Sequence, residues 1–275
     1  MSAAIVTAEL PPIDEDVLRR FDVAGPRYTS YPTADRFVEA FTEDQYRQAL
    51  AARATGAGMV GGALPLSLYV HIPFCESLCY YCACNKIITK HHERAAEYLD
   101  ALDQEIALHR QLLGGVQSVS QLHFGGGSPT FLSDAELSRL MASLRAAFRF
   151  TKDAELSIEV DPRTVTRERL AHLRSIGFNR LSFGVQDIDP AVQKAVHRVQ
   201  TFESVRDLLQ DARELGFRST NVDLIYDLPK QSVQTPAHRA RDRATAPRCA
   251  RATYRSRAAS RSRATTCCAV PSSWR

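Results

Sequence analysis

The chain is 275 residues long and 44% hydrophobic, which is enough to bury a sizeable core and excludes disorder as a whole. Its net charge of +4 is uneven: residues 236–275 hold ten Arg against one acid, Asp242, a local +9 that leaves −5 for the first 235 residues, so the body is acidic. No apolar run approaches the roughly 18 residues of a membrane span, and Met1 to Pro11 lacks a basic stretch followed by a long apolar run, so a cytoplasmic protein with no membrane partner is expected.

Residues 1–55 read as an N-terminal arm and helix. The arm contains GPRYTSYPTA (Gly25 to Ala34), and Thr42 with Gln45 has the spacing of a capping box that opens a short helix. Gly56, Gly58, Gly61 and Gly62 then form a flexible joint to a core over residues 56–235. In the core, apolar runs with strand character fall at Ser67 to Ile72, Gln121 to Phe124, Leu156 to Val160, Arg180 to Val185 and Asn221 to Tyr226. A helix lies between the first two, with Leu99, Leu102, Ile106 and Leu113 on one face and a stop at Gly114-Gly115. Ser133 and Glu136 open the next, which continues through Leu137, Leu140, Met141, Leu144 and Phe148. Asp189-Pro190 and Thr201 mark further starts, and Gly177 and Gly216 mark stops. Strand and helix in alternation imply an α/β fold of parallel βαβ units, and an open barrel or a doubly wound sheet would both satisfy the pattern.

Residues 236–275 differ in kind. This Arg, Ala and Ser-rich tail has no Gly and a single member of the Ile, Leu, Val, Phe and Met set, Val270, so it has too little apolar surface to offset its ordering entropy and is expected to be unstructured. With aromatics only at Tyr254 and Trp274 it makes a poor nucleic-acid arm, and no nucleic-acid partner is expected.

The chemistry concentrates in Tyr69 to Asn85, YVHIPFCESLCYYCACN. Cys75, Cys79 and Cys82 follow the first strand at C-x3-C-x2-C, whereas Cys249, Cys267 and Cys268 are scattered in the tail. Three soft thiolates this close can converge on one centre. A structural zinc site closes with four ligands, while a four-iron cluster on three Cys leaves one iron open to an outside ligand. A zinc knuckle completed by Cys84 or His71 is the bland alternative. Gly125-Gly126-Gly127-Ser128 ends the second strand, where glycine permits close backbone approach; taken alone it is an ordinary turn, lacking G-x-G-x-x-G spacing. Glu159, Gln186 and Asp223 each stand near the end of an apolar strand, where a polar group needs a partner.

The three-cysteine spacing, together with GPRYTSYPTA, YVHIPFC, CYYCACNK, GGGSPT, SIEVDPR, NRLSFGVQD and STNVDLIY, resembles the radical S-adenosylmethionine (SAM) enzymes, and within them the branch acting in haem biosynthesis. The resemblance runs from about Phe21 to Ser232. It implies an incomplete TIM-like (β/α) barrel with about five of its six βα units present, cut short before the sixth unit and a helical C-terminal domain; the tail resembles translation in a wrong frame. It also implies a [4Fe-4S] cluster on Cys75, Cys79 and Cys82 and two S-adenosyl-L-methionine molecules. Tyr69, Gly126 and Glu159 would belong to the first SAM site, and Tyr81, Gly127, Ser128, Gln186, Arg198 and Asp223 to the second. The implied reaction is radical oxidative decarboxylation of two propionates of coproporphyrinogen III to vinyl groups by a monomer fed by an electron donor, with no catalytic side chain assigned. A haem-delivery protein of the same superfamily is the competing reading. It is disfavoured because such proteins usually carry an aromatic residue where Cys84 stands and generally lack the GPRYTSYPTA string. Asp227 stands where these enzymes usually have Gly, so a positive φ there would strain it.

Overall fold

A computed structural model describes residues 14–21, 36–56, 64–232 and 250–255. The GPRYTSYPTA segment, most of the glycine joint and most of the tail lie outside the described residues. The chain divides into two units, residues 1–40 with 261–275, and residues 41–260. In the first, α1 (Glu15–Phe21) is a short solvated helix with Arg19 beside Glu15 and Asp16.

The second unit is built on a six-stranded, fully parallel sheet. Its strands are β1 (Leu66–Ile72), β4 (Ser118–Gly126), β5 (Arg149–Val160), β6 (Arg180–Gln186), β7 (Ser219–Ile225) and β8 (Ala250–Arg255), hydrogen-bonded in that order. Each strand lies beside the next one in sequence, with no reversal of order. A doubly wound sheet turns back at a switch point, so this order selects the barrel-type winding.

Four of the helices open on caps that the sequence displays. α2 (Glu43–Thr55) opens on Thr42, whose N–H donates to Gln45 Oε1 at 2.8 Å, and it ends at Gly56. α3 (Arg94–Leu112) follows the cysteine segment, and Tyr46 on α2 meets His109 on it at 2.7 Å. α4 (Asp134–Ala147) begins with the Ser133–Glu136 box, the Ser133 N–H donating to Glu136 Oε2 at 2.7 Å. α5 (Arg167–Ser175), α6 (Pro190–Ala195) and α7 (Phe202–Glu214) complete the layer, α6 capped by Asp189 and α7 by Thr201. Gly177 and Gly216 follow α5 and α7 at positive φ, as expected of helix stops.

Alternation along the strands assigns the two faces. Ile72, Leu122, Phe124, Ile158 and Phe183 are almost fully buried and pack with Leu137, Leu140, Met141, Leu170 and Phe178 from the helical side. Each such side chain contributes about 1.5–3 kcal/mol by leaving water. The alternate positions are polar: Tyr69 pairs with His123, His123 with Ser157, Glu159 with Ser182, and Gly184 with Asp223. With period 2, one face is therefore core and the other a polar lining.

Two features go beyond the strands read from the sequence. The sheet continues through β8, within residues 236–275, which pairs with β7 from Thr220↔Ala250 to Ile225↔Arg255. A parallel edge offers unpaired N–H and C=O groups to any extended backbone, and such pairing does not need the large aliphatic side chains the tail lacks. The second is a short parallel pair, β2 (Phe74–Cys75) with β3 (Ile87–Ile88), which closes the base of the cysteine loop. Two-residue strands give no periodicity to read.

Asp227, after β7, has φ 64°. Asp227→Gly is expected to stabilise the fold by about 0.5–1 kcal/mol, read from the urea midpoint at constant m. A destabilised variant would show that the carboxylate makes up for its own strain.

Candidate active site

The C-terminal ends of the parallel strands form one rim, and the cysteine loop leaves the first of them. Its base is fixed by Ile87 N–H to Pro73 O at 2.7 Å and Thr89 N–H to Cys75 O at 2.9 Å. The end of β4 locks against it, with Gly127 N–H donating to Ile72 O at 2.7 Å and Ser128 N–H to Phe74 O at 2.8 Å. Gly126 has φ 120°, and a Cβ there would lie 2.7 Å from Ile72 O, so only glycine fits. The two N–H groups of Gly127 and Ser128 are thus used within the chain, leaving the Ser128 hydroxyl, 3.8 Å from Cys75 Sγ, to face the loop.

The far side of the loop is pinned too. Tyr80 N–H donates to Val196 O at 3.1 Å, His197 Nδ1 lies 2.8 Å from Leu78 O, and the Tyr80 and His197 rings stack at 5.4 Å. His197 holds φ 57°, a conformation such a residue adopts only when its surroundings impose it.

Within this frame Cys79 is buried, Cys75 and Cys82 are half-buried and Cys84 is exposed. Burial pushes the Cys75 thiol up, despite the Ser128 hydroxyl and with the charges of Cys82 and Cys79 adding to the rise. Cys82 is drawn down to about 5 by hydrogen bonds from Cys84, which outweigh burial with help from Lys86. Lys86 Nζ also donates to Cys82 O at 2.9 Å. Cys84 thus acts on a neighbouring thiol. Among the described residues no three His, Cys, Asp or Glu side chains close around a single metal ion. The donor chemistry, three soft sulfurs within range of one another's charge with cations beside two of them, fits a multi-iron sulfide centre.

Two polar groups flank the loop. On the β1–β5 side, Tyr69 stacks on His123 with centroids 5.8 Å apart and its hydroxyl meets His71 Nδ1 at 3.1 Å. His123 Nδ1 lies 2.7 Å from Ser157 Oγ, and its Nε2 lies 3.5 Å from Glu159 Oε1, which places the imidazole beside the Glu159 carboxylate. On the other side, Arg198 is only 7% exposed, too buried for a solvated surface residue. It lies between α6 and α7, donates to Gly184 O through Nε at 3.0 Å, and points Nη1 at Cys79 Sγ (3.5 Å) and Asp161 Oδ2 (3.2 Å). Tyr81 reaches the same place; burial, only partly opposed by Arg198, pushes its phenol well above the ordinary value. Asp223 accepts from Ser182 Oγ at 3.3 Å on the β6–β7 lining. Gln186 ends β6 at φ 70°, beside a register shift that turns the strand end.

Sequence reasoning did not single out Asp161, Arg163 or His123. The DPR string after β5 was the available signal: Asp161 caps the short 3-10 turn Pro162–Thr164, its Oδ1 accepting from Arg163 N–H at 3.0 Å.

A one-way parallel winding with a three-cysteine loop at its first strand end defines a radical SAM protein, and the chain matches the Radical SAM superfamily over residues 69–242. Within that superfamily it belongs to the oxygen-independent coproporphyrinogen III oxidase family. It is 53% identical over 222 residues to the oxygen-independent coproporphyrinogen III oxidase of Escherichia coli, covering 81% of this chain and 47% of that protein. It is 50% identical over 222 residues to that of Pseudomonas aeruginosa, with 80% and 47% covered. A solved coproporphyrinogen III oxidase from Escherichia coli, described as a radical SAM enzyme, matches with TM-score 0.73 at 50% identity, over 83% of this chain and 49% of that one. The chain therefore spans about half the length of the curated relatives it matches.

Proposed function

We propose that this chain carries the cofactor half of an oxygen-independent coproporphyrinogen III oxidase, which oxidatively decarboxylates two propionates of coproporphyrinogen III to vinyl groups and yields protoporphyrinogen IX. The observation that carries the reading is the placement of three thiols on the same rim as the polar strand ends of β5, β6 and β7. Cys75, Cys79 and Cys82 would hold a [4Fe-4S] cluster. Tyr69, Gly126 and Glu159 would bind one SAM, and Tyr81, Gly127, Ser128, Gln186, Arg198 and Asp223 a second. When bound, this pair of cofactors supplies one-electron cleavage of a sulfonium and abstraction of a hydrogen atom from the substrate propionate. The chain's part is to hold and shield: Glu159, beside His123, offers an acceptor for an ammonium, and Arg198 supplies a positive charge suited to a carboxylate. The reading includes a cytoplasmic monomer served by a separate electron donor, without nucleic-acid or membrane partners; separately, among the described residues no helix is long and apolar enough to cross a membrane.

SAM titration of the anaerobically reconstituted protein by calorimetry tests this assignment. Two sites are expected for the wild type and one for Asp223→Ala at unchanged thermal stability. Unaltered stoichiometry and affinity would return Asp223 to a structural role.

A further inference from the structure

Asp161, at the end of β5, is almost fully buried, and two guanidinium groups converge on it. Arg163 holds its carboxylate as a fork, with Nε 3.0 Å from Oδ1 and Nη2 2.7 Å from Oδ2, and Arg198 Nη1 lies 3.2 Å from Oδ2. Both cations also point at one sulfur: Arg198 Nη1 is 3.5 Å and Arg163 Nη2 3.8 Å from Cys79 Sγ. The trio carries two positive charges and one negative, a net of +1 beside the most buried of the three loop thiols. Arg198 has a ligand role in the proposed function, but nothing in that role requires Arg163. Such an arrangement is more than a surface ion pair, because Asp161 and Arg198 are at 7–8% side-chain exposure and the local medium strengthens each interaction.

We propose that Arg163, aligned by Asp161, is a positioning residue that raises the reduction potential of the iron–sulfur cluster through Cys79. The inference rests on the proposed cluster site. One-electron reduction adds a negative charge to the cluster and its thiolates without moving atoms between groups; the electron comes from an external low-potential donor. A cation and N–H donors at a ligating sulfur stabilise the reduced form more than the oxidised one. Removing Arg163 takes the trio from +1 to a neutral Arg198–Asp161 pair, so reduction becomes harder. Arg198 stays in place, held by Gly184 O.

The test is an EPR-monitored redox titration with dithionite on anaerobically reconstituted wild type, Arg163→Met and Arg163→Lys, without SAM. The expected result is about a tenfold fall in the reduction equilibrium constant for Arg163→Met, a midpoint about 59 mV more negative. Arg163→Lys keeps the charge but not the fork, and an intermediate midpoint is expected. It also carries the test alone if Arg163→Met does not fold. Full iron and sulfide in each variant with an unchanged midpoint would overturn the inference while leaving the cluster site intact. Wild type that takes up no cluster would instead overturn the site assignment, and this inference with it. A more positive midpoint in Arg163→Met would reverse the sign of the argument and refute it.

Discussion

Cys79→Ala is expected to reduce the iron retained after anaerobic reconstitution from about four atoms per chain to near none. Cys79 lies at the centre of the loop's polar surroundings: it is 8% exposed, Arg163 and Arg198 both point at its sulfur, and the Cys82 N–H donates to its carbonyl at 3.0 Å. With the sulfur gone, two thiolates remain to anchor a cluster, and two guanidiniums face a methyl group. Cys84→Ala is the matched control. Its thiol is exposed and acts on Cys82 by hydrogen bonding, so iron and sulfide content should stay at the wild-type level. Iron retained in Cys79→Ala, or lost in Cys84→Ala, would refute the three-thiolate assignment.

The second large effect is on stability. Asp161→Asn preserves size and leaves a carbonyl oxygen for the Arg163 N–H, but removes the only anion of the trio. Burial raises the Asp161 carboxyl, yet the Arg163 hydrogen bond and the Arg198 charge outweigh it and hold the group below the usual carboxylate range. Breaking a buried pair from one side leaves uncompensated charge, and about 3–5 kcal/mol of destabilisation is expected. Urea unfolding at neutral pH measures it. Because the folded carboxyl titrates below the unfolded one, its stabilisation is complete above the ordinary Asp range and fades as pH falls through the folded value. The gap between wild type and variant should therefore narrow in acid. A loss below about 1 kcal/mol would mean that solvent already screens these charges.

The two predictions separate what the sequence settles from what packing settles. By itself the sequence determined the alternation of strands and helices, the Thr42 and Ser133 caps, the stops at Gly177 and Gly216, and the cysteine loop after the first strand. Each of these rests on interactions within a few residues, or on a period of 2 or 3.6 that the chain displays directly. It also placed Glu159, Gln186 and Asp223 at strand ends, because an isolated polar residue in an apolar run stands out. The direction of winding needed the fold, since the same strand and helix pattern serves both an open barrel and a doubly wound sheet, and only the pairing order β1-β4-β5-β6-β7 distinguishes them. β8 needed it too, because backbone pairing at a sheet edge leaves little trace in side-chain composition. The convergence of Asp161, Arg163 and Arg198 on Cys79 was invisible for a related reason. Cys79 lies 84 residues from Arg163 and 119 from Arg198 in the chain, and a buried ion cluster with partners that far apart has no period or spacing to betray it. Tertiary packing alone decides which charges share a low-dielectric site.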